Sequence, residues 1–181
     1  MIDDRSLKDV QRLRKESLLS LLSKLDLLLP GHGYRIQDNA RIMLNAFPGE
    51  VDVSDVNKLF LLCNLHDVGK LVKGHRLAGL DRHSALGGEI AWSHPELNSI
   101  SELIYYHHER WDGNGFYGLE GENIPYYCRL VKILDSFDNL VYGRRTGQKL
   151  MSKQEAIKRL EQGSGSQFDP QIMPLAIEVL G

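Results

Sequence analysis

Apolar residues recur at helical spacing in almost every long stretch of this chain, and nowhere do apolar and polar residues alternate for a useful length. That pattern restricts the chain to helices packed on helices. Residues 4–29 carry leucines at helical spacing up to Pro30-Gly31. A second helix is expected over about Tyr34–Ala46, ended by Pro48-Gly49. Ser54 is placed to cap a third that runs to His66-Asp67, with Gly69 just beyond. Further helices are expected near Arg82–Ala91, from Pro95 to His107-His108, and from Pro125 to about Tyr142. Ser152 and Glu155 form a capping box that opens the next, ending at Gly163, and Asp169-Pro170 starts the last. The one long exception is Glu109–Ile124, which holds Gly113, Gly115, Gly118 and Gly121. At 181 residues one hydrophobic core is affordable in length and two would be cramped. The expectation is a single all-α domain: an amphipathic helix over 1–29 packs on a unit spanning 30–181.

Twenty-two Lys+Arg against 24 Asp+Glu leave a net charge of −2, without the basic surplus of a duplex nucleic-acid binder. Cys63 and Cys128 match neither a disulfide framework nor a CxxC zinc site, and both stand in apolar helical stretches as core thiols. The polar start MIDDRSLKDV is unlike a signal peptide, and the apolar run around Leu25–Pro30 is too short to span a bilayer. A cytoplasmic protein with no membrane partner is expected.

Seven histidines are spread over these segments, and their placement matters more than their number. His66 and Asp67 close an apolar helix, His107 and His108 close another, and Asp135 follows on a later one. His32 and His83 stand on two more. Five helices thus present imidazole or carboxylate groups, which is how bundles build a metal site from facing helices. Imidazole with carboxylate suits iron, manganese, zinc or nickel. A carboxylate has two oxygens, so Asp67 could bridge two ions while His66 binds one. Lys70, three residues on, returns to the same face and can meet a phosphate oxygen.

The run Leu65-His66-Asp67-Val68-Gly69-Lys70, followed by His107-His108-Glu109-Arg110-Trp111-Asp112-Gly113-Asn114-Gly115, resembles the HD-GYP branch of the HD phosphohydrolase superfamily. Ile124-Pro125 and Asp135-Ser136-Phe137-Asp138-Asn139-Leu140 continue the resemblance, which covers roughly residues 30–180. It implies an HD-type helical bundle with two divalent metal ions in its core, iron or manganese above all. By that resemblance His32, His66, Asp67 and Asp135 hold one ion. Asp67 as the bridge, with His83, His107 and His108, holds the other. Lys70 matches a lysine on the scissile phosphate, and Arg144 matches a phosphate-binding arginine. The implied activity is hydrolysis of cyclic di-GMP, a small cyclic dinucleotide, to linear pGpG or GMP.

Two departures bear on this reading. The Gly-Tyr-Pro signature reads Gly115-Phe116-Tyr117, and Leu28 stands where three-metal members carry a glutamate. An HD-type phosphohydrolase for another nucleotide or phosphoester is therefore the alternative, beside a weakly active dinucleotide-binding module. The amphipathic N-terminal segment is compatible with a homodimer or a separate signalling partner. Asp138 stands to orient the site or simply to be solvated, while His75 and His94 match no ligand position. Trp111, Phe116, Tyr117, Tyr126 and Tyr127 could stack on bases, with core packing the expected fate of at least half.

Overall fold

The computed structural model describes residues 4–46, 55–77, 80–143 and 149–181. Among these residues the chain forms nine α-helices: α1 (Asp4–Leu13), α2 (Leu18–Leu28), α3 (His32–Ala46), α4 (Val56–Leu65), α5 (His83–Trp92), α6 (Ser101–Tyr106), α7 (Tyr126–Tyr142), α8 (Lys153–Glu161) and α9 (Met173–Leu180). Two-residue strands β1 (Arg76–Leu77) and β2 (Leu80–Asp81) pair antiparallel between α4 and α5. The all-helical architecture read from the periodicity is the architecture observed, and none of the described helices is long and apolar enough to cross a membrane.

Residues 4–29 are two helices rather than one. Ser17 adopts extended backbone and its hydroxyl accepts from the Ser20 N–H at 3.3 Å, so a cap interrupts the leucine periodicity. Val10 and Leu13 of α1, and Leu21 and Leu25 of α2, are buried in the same core as the later helices. His94, which matches no ligand position, is buried in a cap that secures this corner. Its Nε2 lies 2.8 Å from the Glu16 carbonyl and its Nδ1 accepts from the Glu96 N–H.

The core is built around α3, α4 and α7, with Ile36, Leu59, Leu62, Val131 and Leu134 all buried. Cys63 and Cys128 lie within it as unpaired thiols, and burial raises both pKa values. Ser152 and Glu155 form the expected capping box at α8. Asp169 accepts from the Gln171 N–H and so prepares the turn that leads into α9. Ser54 and Pro48-Gly49 lie outside the described residues.

The third helix stops earlier than expected. α4 ends at Leu65, His66 keeps helical angles, and Asp67 (φ −92°, ψ 8°) leads into a 3-10 turn over Val68–Leu71. That turn lies hard against the start of α5. A Cβ at Gly69 would come within 2.0 Å of the His83 carbonyl oxygen and 2.6 Å of the Gly87 nitrogen, so only glycine allows the approach. Asp67 and His83 are brought together by it.

Candidate metal centre

Six of the seven candidate ligands are strongly buried: His32, His66, Asp67, His83, His107 and Asp135; His108 is partly so. They come from α3, the α4 terminus, α5, the α6 terminus and α7, which are the helices the sequence assigned. Their donor atoms fall into two groups able to hold a metal ion. One is His32, His66 and Asp67, the other His83, His107 and His108, and within each the atoms lie within 4.8 Å of one another.

Asp67 faces both groups. Its Oδ1 is 3.0 Å from His83 Nε2, while its Oδ2 lies 3.5 Å from His66 Nε2 and 3.8 Å from His32 Nε2. Asp135 Oδ1 joins the first group at 3.3 Å from His32 Nε2 and 3.5 Å from His66 Nε2. The Asn139 amide donates to the other Asp135 oxygen at 3.2 Å. The Lys70 ammonium donates to Asp67 Oδ2 at 2.6 Å.

The far nitrogens decide what the near ones can do. Nδ1 of His66 faces the carbonyls of Leu62 and Cys63 at 3.3 and 3.2 Å, and Nδ1 of His107 faces the Ile104 carbonyl at 2.7 Å. Nδ1 of His32 faces Asp138 Oδ2 at 2.6 Å. Carbonyl and carboxylate oxygens only accept, so each of these Nδ1 atoms carries a proton, and a ring in its neutral form turns the bare lone pair of Nε2 inward. The inward nitrogens meet: His32 and His66 Nε2 are 3.4 Å apart, and His83 Nε2 lies 3.2 Å from that of His107 and 2.9 Å from that of His108. One imidazole proton at His83 cannot serve Asp67, His107 and His108 together. A cation among them serves all, and the donor set fits a metal.

The electrostatics agree. Burial, reinforced by the neighbouring imidazoles, holds the His107 pKa far below the ordinary histidine value. Burial, with Lys132 and His83 nearby, brings His108 down to about 3. Both rings stay neutral, as ligation requires.

Of two further contributors, Asp138 is read from the sequence as either orienting the site or solvated, and Glu109 is not read from it at all. Asp138, 1% exposed, is buried rather than solvated and receives a fork from Arg35, with Nε to Oδ1 at 2.6 Å and Nη2 to Oδ2 at 2.9 Å. Burial raises the Asp138 pKa, but His32 and Arg35 outweigh that and leave it below the usual carboxylate value. Glu109 is also buried. It accepts from the backbone N–H groups of Tyr117 and Leu119 at 2.9 and 2.8 Å and so ties down the glycine-rich loop. Nothing nearer than a contact eight residues away could have marked that role of Glu109. The loop sets Phe116, 59% exposed, edge-on to His108 with centroids 5.9 Å apart, and packs Tyr117 against Tyr105 and Tyr106. Trp111 and Tyr126 instead flank the Arg129 guanidinium. Arg144 lies outside the described residues.

Fold and site together define a helical bundle with a buried histidine–carboxylate centre able to hold metal. The chain belongs to the HD domain family, which residues 64–172 match. It is 34% identical over 139 residues to a probable cyclic di-GMP phosphodiesterase of Vibrio cholerae, covering 65% of this chain and 31% of that protein. It is 30% identical over 190 residues to a second V. cholerae protein, a cyclic di-GMP phosphodiesterase, covering 90% of this chain and 38% of that one. A Thermotoga maritima cyclic di-GMP phosphodiesterase is 29% identical over 133 residues, covering 65% and 36%. The chain thus spans about a third of the length of these relatives. A solved V. cholerae cyclic GMP-AMP-specific phosphodiesterase shares the fold at a TM-score of 0.65 and 18% identity, over 97% of this chain and 48% of that one.

Proposed function

We propose that this chain is a metal-dependent phosphodiesterase of the HD-GYP type, with Gly115-Phe116-Tyr117 as its variant signature, that opens cyclic di-GMP to linear pGpG or carries it on to GMP. The observation that carries the reading is the locked tautomer of His32, His66 and His107, whose inward Nε2 atoms have no use so economical as ligation. The cyclic di-GMP phosphodiesterases among the relatives support the substrate.

In this reading His32, His66, Asp67 and Asp135 hold one ion, and Asp67, His83, His107 and His108 hold the other. Two bound divalent cations, iron or manganese from this donor set, would supply an activated water and offset charge on the phosphoryl oxygens. The chain's own residues do the rest. Lys70 gives up its contact with Asp67 Oδ2 to meet a phosphate oxygen and offsets charge as the leaving oxygen departs. Arg144 is a second phosphate contact in this reading. Phe116 beside His108 offers an exposed ring on which a base can stack. Residues 30–181 carry the catalytic unit and residues 1–29 pack on it.

The test is chromatography of cyclic di-GMP incubated with protein loaded anaerobically with Mn²⁺ or Fe²⁺, beside an Asp67→Ala control. Metal-dependent linear product, absent in the control, is the expected result. Intact substrate over bound metal would redirect the search to other phosphoesters.

A further inference from the structure

Lys132 stands on α7 one turn before Asp135 and shares its side of the helix. Its side chain is partly withdrawn from water, and its ammonium donates to the His108 carbonyl at 3.2 Å. Among the described residues that neutral oxygen is its one hydrogen-bond partner, and no carboxylate lies within 4.0 Å of it. The charged groups that act on it are Asp135, Arg110 and Glu109. Each is committed elsewhere: Asp135 to His32, His66 and Asn139, Glu109 to the N–H groups of Tyr117 and Leu119, and Arg110 to a fork on Asp112.

An ammonium partly withdrawn from water and hydrogen-bonded only to a carbonyl is better satisfied when an anion completes its shell. The carbonyl takes one of its three N–H donors. Lys132 is also far from redundant with Lys70. Lys70 is on Asp67 Oδ2, the oxygen turned to His32 and His66, whereas Lys132 is on the backbone carbonyl of His108, a residue of the other group. The two lysines therefore contact different parts of the cluster's surroundings.

A cyclic dinucleotide carries two phosphodiesters in one ring, and only one is cleaved at a time. The other arrives with a full negative charge at a buried site and needs a counter-charge. We propose that Lys132 is a substrate-binding residue whose ammonium, beside His108 and one turn before Asp135, takes the phosphodiester that is not being cleaved. The proposal rests on the cyclic dinucleotide reading given above. It separates Lys132 from a brace for the His107-His108 turn, which would act on every substrate alike.

The test compares wild type, Lys132→Met and Lys132→Arg, each as the full chain loaded with Mn²⁺. Each is assayed on cyclic di-GMP and on bis(4-nitrophenyl) phosphate, which has one phosphodiester and no second anion. Loss of a charge-assisted hydrogen bond predicts that Lys132→Met raises KM for cyclic di-GMP about 10- to 100-fold. Its kcat/KM on the small diester should fall far less, metal content should hold, and Lys132→Arg should restore most of the loss. Parallel losses on both substrates, with metal released, would make Lys132 a brace and overturn the proposal. An unchanged KM for cyclic di-GMP would overturn it too. Should Lys132→Met fail to fold, as read by thermal melting, Lys132→Gln carries the same comparison. Wild-type protein that cleaves the small diester but neither binds nor cleaves cyclic di-GMP would remove the substrate reading, and this proposal with it, before any variant is compared.

Discussion

Asp138 holds His32 by its outward nitrogen, with Oδ2 2.6 Å from Nδ1, while the Arg35 guanidinium closes on the same carboxylate. The carboxylate fixes the tautomer and strengthens the inward Nε2 as a donor, and Arg35 keeps it ionised while buried. Losing such a partner typically costs about 10- to 100-fold in metal affinity. Asp138→Asn should therefore weaken metal binding by that factor, read by chelator competition, with the helical spectrum unchanged. Wild-type affinity in Asp138→Asn would mean that His32 is oriented by something else.

Asp67 lies between the two groups, whereas His108 belongs to one. Removing a shared ligand and removing a private one should therefore differ in stoichiometry. Asp67→Ala is expected to retain neither ion after desalting, and His108→Ala to retain the ion of the His32 group. Elemental analysis per protein chain distinguishes them. Equal metal loss in both variants would show that the two groups fill as one unit.

Metal removal has a thermal signature. Ligands that converge only in the folded state make metal binding a folding term. Free metal at about 100 times its Kd adds about 2.7 kcal/mol to native stability. For a chain of 181 residues that raises Tm by about 5–10 °C. A melt with and without Mn²⁺ reads it, and Asp67→Ala should lose most of the increment. A metal-independent Tm in wild type would contradict the proposed centre.

The gathering of these imidazole and carboxylate groups was legible because each stands on or at the end of a helix that a bundle packs inward. The capping box at Ser152 was legible because its chemistry is local. What escaped was set by distance along the chain or by competition between local signals. Asp138 meets Arg35 across 103 residues, and no spacing rule joins them. Ser17 interrupts a leucine-rich run that periodicity alone carries as one helix over residues 4–29, because a cap satisfies backbone donors that apolar spacing does not see. The same limit hid the closeness of Gly69 to His83, which depends on how the 3-10 turn docks on α5 rather than on either segment alone.

Glu109 offers a way to separate the loop from the metal. Its carboxylate takes two N–H groups of the loop, and a Cβ at Gly115 would lie 2.6 Å from Glu109 Oε1 and 2.9 Å from its Cα. The Cα is backbone and the oxygen is already engaged, so neither can yield cheaply and the loop must shift. Overpacking of this kind costs about 1–3 kcal/mol, and Gly115→Ala should lower Tm accordingly. Because the displaced segment carries Phe116, KM for cyclic di-GMP should rise several-fold, while metal content stays at the wild-type level. Glu109→Gln should move KM the same way, since its amide nitrogen cannot accept the second N–H. If both variants instead lose metal along with substrate affinity, the loop supports the His107-His108 turn. If neither changes KM, Phe116 and Tyr117 do not shape the substrate pocket.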